Sequence, residues 1–255
     1  MTPSLSAVLG TELGKLKRSL SWSIVVLLPL VMVFAGSFMT LVSQQQLADG
    51  WHTLWLRSVV FYGLFPLTLG LGILASLVWR PEHRGGNWNA LMSTPVPTLR
   101  IVLAKTLAIA LLGAVMQLVL LIAVVVTGKL LFGLPGLLPP RYLLVTALLV
   151  VAVLPVAAVQ SALSMTFRSF AAPVAVALVG AGIAAVALAA ELGGVIFVLP
   201  HALTARATQL ATGTFGDSGQ LTAGGSLAIV CASAVLTLLV VALATRFQER
   251  RDVRV

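Results

Sequence analysis

The sequence predicts an all-α integral membrane protein, and three observations lead to this fold class. Of the 255 residues, 59% are hydrophobic and only 9% are charged, and the mean hydropathy is +1.08. Soluble domains carry about 25% charged residues, so their interiors cannot hide this much apolar surface. The apolar residues also form long runs without charges, each long enough to cross a bilayer as a helix. We therefore expect one transmembrane domain over residues 1–255.

Six apolar segments are predicted to be transmembrane helices. A helix satisfies its own backbone hydrogen bonds in hydrocarbon, whereas an open sheet edge leaves polar groups unpaired at a cost of several kcal/mol each. The segments also lack the alternation of polar and apolar residues that is typical of membrane-spanning strands. They are Ser21 to Val42, Val59 to Trp79, Ile101 to Thr127, Leu143 to Phe167, Ala171 to Ala190 and Ser226 to Thr245.

The segments outside these spans divide the chain further. Residues 1–20 place leucine and valine side chains near one helical face, which predicts an amphipathic helix on the membrane surface. The bundle then covers residues 21–246, and residues 247–255 form a cytoplasmic tail. Leu192 to Leu199 is apolar but too short to cross. We interpret it as a short re-entrant or interfacial element between spans five and six, the alternative being an extension of the fifth helix.

The distribution of lysine and arginine predicts the orientation. Twelve of these sixteen residues lie beside one set of span ends and four beside the other. Because positive charges favour the cytoplasmic side of a membrane, both termini are predicted to be cytoplasmic in a multi-pass protein of the cell membrane. The net charge of +9 then indicates contact with anionic membrane lipids, and no nucleic acid partner is expected. The four residues on the predicted outer side are Arg57, Lys129, Arg141 and Arg206.

The most informative polar stretch is the loop between the second and third segments, residues 80–100. Glu82 is placed favourably for the positive N-terminal end of a short helix. Trp88, Leu91 and Met92 have the spacing of one apolar helical face. We expect a short helix parallel to the membrane, with a surface on which a soluble partner can act.

Several residues in and around this loop carry a resemblance to a known family. They are Glu12-Leu-Gly-Lys-Leu-Lys-Arg-Ser19, then Glu82, Gly86, Trp88, Leu91, Pro95 and Val96, then Ala104-Lys105, and finally Val198-Leu-Pro200. With these residues the chain resembles the permease subunits of ABC type-2 exporters, in particular the small six-span permeases of the lantibiotic-immunity and bacitracin type. The architectural resemblance covers essentially the whole chain, and the residue motifs cover a smaller part of it.

The resemblance implies a permease without an ATPase of its own. It works as a dimer, with a second copy of itself or a homologous permease, beside separate ABC ATPase subunits that bind ATP and Mg²⁺. The sequence contains no Gly-rich phosphate-binding motif ending in Lys-Ser or Lys-Thr, in agreement with this, and no cofactor is expected in this chain. In the family, the loop after the second span forms the coupling helix that docks on the ATPase. In this chain that role falls to Glu82, Gly86, Trp88 and Leu91.

Each of these residues also has a simpler interpretation. Glu82 is equally suited to capping a helix or pairing with Arg84 on a solvated loop. Trp88 is suited to anchoring the loop at the membrane interface, which is compatible with coupling. Lys105, just inside the third span, is predicted to extend its ammonium group to the headgroups.

Three polar residues lie in or at the end of predicted spans and are candidates for the pathway. Gln117 and Gln160 lie deep in the third and fourth spans, where an amide needs a partner, either on another helix or on a substrate. Glu191 lies at the outer end of the fifth span, and we interpret it as a water-exposed helix end or a proton site.

Three functions are compatible with a polytopic membrane protein of this size. The sequence favours the exporter permease, which carries an amphipathic cargo such as a peptide, an antibiotic or a lipid. An ion-coupled secondary transporter predicts buried ionisable residues at mid-span, and an intramembrane enzyme predicts clustered His, Asp or Glu. The six segments contain neither pattern, and a non-transporting structural subunit remains the further alternative.

Overall fold

The computed structural model describes residues 3–17, 19–43, 47–84 and 87–252, and within these ranges all regular elements are helical. Gly86 lies outside the described residues. The α-helices are α1 (Leu5–Leu16), α2 (Ser21–Ser43), α3 (Gly50–Trp55), α4 (Phe61–Leu64), α5 (Pro66–Trp79), α6 (Asn87–Met92), α7 (Thr98–Leu130), α8 (Pro140–Thr166), α9 (Ala171–Ala189), α10 (Pro200–Gln209) and α11 (Ala223–Asp252).

The predicted fold class is confirmed. Within the described ranges, five helices are long and apolar enough to cross a membrane: α2, α7, α8, α9 and α11. A sixth span results when the bent pair Gly50–Leu64 and Pro66–Trp79 is counted as one. The chain is therefore a multi-pass membrane protein.

The second span differs from its prediction in both start and shape. It begins at Gly50 and not at Val59, contains a π-helical turn at Leu56–Val60, and bends by 48° before Pro66. Proline has no N–H to donate and fits the first turn of a helix, so it ends α4 and begins α5. The early start was not predicted, because the charged Arg57 interrupts the apolar run. Within the bundle, the guanidinium group of Arg57 donates a hydrogen bond to Thr40 on α2.

The segment between α9 and α11 contains a helix that the sequence interpretation missed. The alternative that Leu192 to Leu199 extends the fifth helix is wrong, because α9 ends at Ala189 and Glu191 has a φ of 51°. A 3₁₀ turn at Gly193–Phe197 follows, and then α10. A Cβ atom on Gly180, in the middle of α9, would lie 2.7 Å from the ring of His201. The start of α10 therefore packs against the middle of α9.

The remaining helices agree with the predicted segments except at their ends. α7 extends its predicted span at both ends, α8 begins earlier than predicted and ends at Thr166, and α11 continues past Thr245 to Asp252. In α1, the side chain of Ser4 accepts a hydrogen bond from the N–H of Ala7, while Glu12 is buried although it is charged. Charged residues are buried only with partners, so α1 must bring Glu12 against another element.

The core of the bundle is centred on α7 and α8, which contact each other and the surrounding helices. We call the end that holds α1, the end of α5 and the start of α7 the basic end. The other end, which holds α3 and the start of α8, we call the opposite end.

Candidate functional site

Four charged side chains meet at the basic end and form what we call the ion cluster: Glu12, Lys15, Glu82 and Lys105. Lys105, about two turns into α7, is fully buried, and its Nζ lies 2.7 Å from Glu12 Oε2 and 2.9 Å from Glu82 Oε1. Lys15 Nζ lies 2.7 Å from the Oε1 atoms of both glutamates. Lys105 Nζ also donates to the carbonyl oxygen of Val78 at 3.3 Å. Two acids and two bases thus join α1, α7 and the loop after α5.

The cluster shifts the pKa values of Glu82 and Lys15, which lie outside the membrane-spanning helices. Burial alone raises the pKa of Glu82, but the charges and hydrogen bonds of Lys105 and Lys15 outweigh it, so the pKa lies below its ordinary value. Burial lowers the pKa of Lys15, yet the hydrogen bonds and charges of Glu12 and Glu82 hold that pKa above its ordinary value. Each charged form therefore stabilises the other.

A stack of three rings lies beside the ion cluster. The ring centroids of Trp79 and Trp88 are 6.2 Å apart, and those of His83 and Trp88 are 5.6 Å apart with nearly parallel planes. Trp79 Nε1 donates to Ser161 Oγ at 3.0 Å, and His83 Nε2 donates to the carbonyl oxygen of Ser164 at 2.7 Å. The loop after α5 is thereby also joined to α8.

The short helix α6 turns its apolar side towards the bundle. Trp88 and Leu91 are half-buried and pack against a cluster that contains Trp79 of α5 and residues of α7 and α8. Asn89 and Ala90 are exposed. The predicted coupling residues Glu82, Trp88 and Leu91 thus hold the loop in place, and a different face of α6 is open to a partner.

The three candidate pathway residues lie in separate places. Gln117 is fully buried on α7, and its Nε2 donates to the hydroxyl of Tyr62 on α4 at 3.2 Å. Gln160 is fully buried on α8, with its Nε2 3.4 Å from His201 Nε2. Glu191 is exposed after the end of α9. Among the described residues, the Oε1 atoms of Gln117 and Gln160 have no hydrogen-bond partner. The two amides therefore connect helices, each with one acceptor still free within the described ranges.

The prediction for Lys105 was wrong. Its ammonium group binds two carboxylates inside the protein and does not reach the headgroups. Glu12 and Lys15 were not predicted as site residues at all. A signal was present, because a lysine inside an apolar helix needs a counter-ion, and Glu12 and Glu82 were two of the four acids on the same predicted side of the membrane. His201 had no comparable signal, since the helix that carries it was not predicted.

The contacts of the site fix the position of the loop after α5. Within the described residues, no group of three or more His, Cys, Asp or Glu side chains is placed to hold a metal ion. What the site provides is a loop fixed to α1, α5, α7 and α8 by charged and aromatic contacts. A displacement of that loop would therefore move four helices together.

A family model described as ABC-2 family transporter protein matches residues 8–184, well over half of the chain. The chain therefore belongs to the ABC-2 family, and it is a permease component of an ABC transporter, not itself catalytic. The resemblance to ABC type-2 permeases is confirmed, while the narrower resemblance to lantibiotic-immunity permeases stays a prediction. No curated protein and no solved structure matched the chain.

Proposed function

We propose that this ABC-2 permease is the membrane subunit of an ATP-driven exporter and pairs with separate ATPase subunits and a second permease copy. The partners bind ATP and Mg²⁺, and the basic end of the bundle faces them in the cytoplasm. Family membership supports the partnership, and the excess of Lys and Arg at the basic end supports the orientation.

The ion cluster is the observation that carries this proposal. The loop after α5 has an outward face at Asn89 and Ala90, and its inward side is held by Glu82 and Trp88. An ATPase that pushes on the outward face moves Glu82, whose two lysine partners lie on α1 and α7. ATP-driven closure of the partner subunits is thereby converted into movement of the helices.

The proposed cargo is amphipathic: a peptide, an antibiotic or a lipid. Many large apolar side chains on α2, α9 and α11 are exposed on the surface of the single chain. Between two permease copies, such surfaces would line a pathway that is mostly apolar, which suits a cargo with a large apolar part.

Docking is tested by an Ala90→Arg substitution, which places a long cation on the exposed side of α6. Ala90 has no buried packing to lose, so the bundle should fold normally while the ATPase surface is blocked. We expect pull-down of the ATPase subunit to be lost. The matched control is Ser218→Arg in an exposed loop at the opposite end, which should assemble as the wild type does. Equal pull-down by both variants would remove α6 from the interface.

Coupling is tested by Glu82→Gln, which keeps the shape of the side chain and removes its charge. We expect this variant to assemble with the ATPase, because Glu82 faces inward, but its ATPase rate in lipid should no longer rise when cargo is added. Normal cargo stimulation would show that the ion cluster does not transmit movement, even where docking through α6 is upheld.

Orientation is tested by single cysteines in a Cys231→Ala background. Cysteine at the exposed positions Asp49 or Ser218 should react with an impermeant thiol reagent in intact cells, and cysteine at the exposed position Asn89 should react only after lysis. The reverse pattern would overturn the proposed orientation.

A further inference from the structure

A cavity of about 240 Å³ lies at the basic end, between the loop after α5, the end of α8 and the start of α9. Its walls are held by two hydrogen bonds. His83 Nε2 donates to the carbonyl oxygen of Ser164 at 2.7 Å, and Ser76 Oγ donates to the carbonyl oxygen of Phe170 at 3.1 Å. We call this cavity the arginine pocket, because it is lined by Arg80, Arg84 and Arg168.

The positive charge of the arginine pocket is uncompensated. Among the described residues, none of its three guanidinium groups makes an ion pair or a hydrogen bond, although the backbones of Arg80 and Arg84 do, and no acidic side chain lines the cavity. By contrast, Arg100 donates to the carbonyl oxygen of Pro3, and Arg206 pairs with Asp217. Three guanidinium groups around one cavity therefore favour an anion, and arginine binds phosphate oxygens with two parallel hydrogen bonds.

Two further groups at the cavity suit an anion. The side chain of Phe170, the residue before α9, makes no capping hydrogen bond, so the positive end of this 19-residue helix adds to the field at the cavity. Ser164 Oγ is buried at the cavity wall without a hydrogen-bond partner among the described residues.

The apolar surroundings indicate a lipid as the source of the anion. Phe167 and Phe170 line the same cavity and are 45% and 44% exposed. The cavity also lies at the ends of α5 and α8 and the start of α9, where these candidate membrane spans reach one end of the bundle. Acyl chains can pack on the rings while the phosphate lies among the arginines. Basic pockets between transmembrane helices bind lipid headgroups in this manner.

We propose that the arginine pocket is a binding site for the phosphate group of one anionic phospholipid from the leaflet at the basic end. The lipid phosphate binds Arg80, Arg84 and Arg168, and the acyl chains lie along Phe167 and Phe170. The site is independent of the ion cluster, whose charges are already paired.

The test is a titration of the purified chain in neutral detergent with phosphatidylglycerol, read by native mass spectrometry as the fraction carrying one lipid. We expect Arg168→Gln to weaken binding about tenfold, which corresponds to about 1.4 kcal/mol, and Arg80→Gln, on the exposed loop, to act similarly. Arg168→Lys should be intermediate, because it keeps the charge but loses the paired hydrogen bonds. Phosphatidylcholine should bind more weakly than phosphatidylglycerol.

The matched control is Arg246→Gln, which removes the same charge from an exposed position on α11 and should leave the affinity unchanged. Equal weakening by Arg246→Gln would overturn the proposal in favour of unspecific attraction. If inorganic phosphate displaced phosphatidylglycerol at an equal concentration, the bound anion would not need to be a lipid, and the proposal would be overturned. Unchanged lipid binding by Arg168→Gln together with lost ATPase pull-down would assign the arginines to a protein interface and overturn the lipid site.

Discussion

The two ends of the bundle are held together by different kinds of interaction. At the basic end, four charged side chains form one network with N···O distances of 2.7 to 2.9 Å. At the opposite end, Tyr142 stacks on Trp55 with ring centroids 4.6 Å apart, and its hydroxyl lies 2.6 Å from His52 Nδ1. An ion pair at that end, between Arg206 and Asp217, has a longer distance of 3.5 Å.

The two ends therefore differ in how far their stability depends on charge balance. A buried ion cluster is stable only with all its members, since removal of one leaves an uncompensated charge in a low dielectric. Aromatic stacks and hydrogen bonds of uncharged groups lose less when one member is removed. The basic end should therefore respond more strongly than the opposite end to single substitutions, and it should also depend more on pH.

The largest expected effect is that of Lys105→Met. This substitution leaves Glu12 and Glu82 buried beside a single lysine, and loss of one partner of a buried pair costs about 3–5 kcal/mol. Lys129→Met is the matched control at the opposite end, where the exposed lysine donates to the carbonyl oxygen of Leu134 at 3.0 Å. We expect it to cost about 1 kcal/mol or less. Unfolding in detergent measures both, and equal losses would contradict the comparison.

A double substitution sharpens the same test. Glu12→Gln should destabilise the wild type, but it should cost less or even stabilise the protein in the Lys105→Met background, because it removes the carboxylate that lost its partner. Additive losses would mean that the two groups do not interact.

The spans could be predicted because a long apolar run without charge has few alternatives to a membrane helix. The bend before Pro66 could be predicted only in part, since proline marks a break and does not fix the angle. The helix α10 could not be predicted from hydropathy, because it has few apolar residues and contains Arg206, two threonines and one glutamine. It is a helix because α8 and α9 cover it, which is a property of the packed bundle.

The candidate site was predictable in its location but not in its contacts. Glu82 and Trp88 were identified from the loop, but Glu12 and Lys105 are 93 residues apart in sequence. Local patterns give no information on such a pair, and a lysine near a span end fits the headgroup interpretation equally well. Trp88 points towards the bundle because it packs on Trp79. The spacing of apolar residues shows that they share one helical face, but it does not show which way that face points.

The second prediction compares two carboxylates. Glu82→Gln replaces two charge-assisted contacts with weaker ones, and we expect a loss of about 2 kcal/mol. Glu191→Gln changes an exposed side chain and should shift stability by less than about 0.5 kcal/mol. Thermal unfolding of the two variants in the same detergent compares them directly. If Glu191→Gln lowered stability more than Glu82→Gln does, the basic end would not be the end that depends on charge.

The third prediction concerns the opposite end alone. Tyr142→Phe keeps the stack on Trp55 and removes the hydroxyl that contacts His52 and accepts a hydrogen bond from Arg141. We expect a loss of about 1 kcal/mol, the typical net value of such a hydrogen bond. Chemical denaturation measures it, and a loss as large as that of Lys105→Met would show that this end is equally dependent on one polar group.

The smallest expected effect is the pH dependence of the ion cluster. Because the pKa of Glu82 is lower in the folded protein than its ordinary value of 4.5, the folded state binds fewer protons than the unfolded state. This contribution to stability is present above pH 4.5 and is lost as the pH falls through the folded pKa. For Lys15, whose pKa is raised from 10.5, the contribution is present below that pH and is lost as the pH rises through the folded pKa.

Other carboxylates also titrate in acid, so the wild type must be compared with Glu82→Gln. Unfolding temperatures measured between about pH 6 and about pH 3 should fall for both proteins, since Asp and Glu side chains titrate in this range. The difference between them should shrink as the pH is lowered, because a protonated Glu82 and a glutamine are both uncharged. Tyr142→Phe should show a constant difference from the wild type over the same range. If the Glu82→Gln difference stays constant as well, the charge of Glu82 does not stabilise the basic end, and the contrast between the two ends would then be one of packing alone.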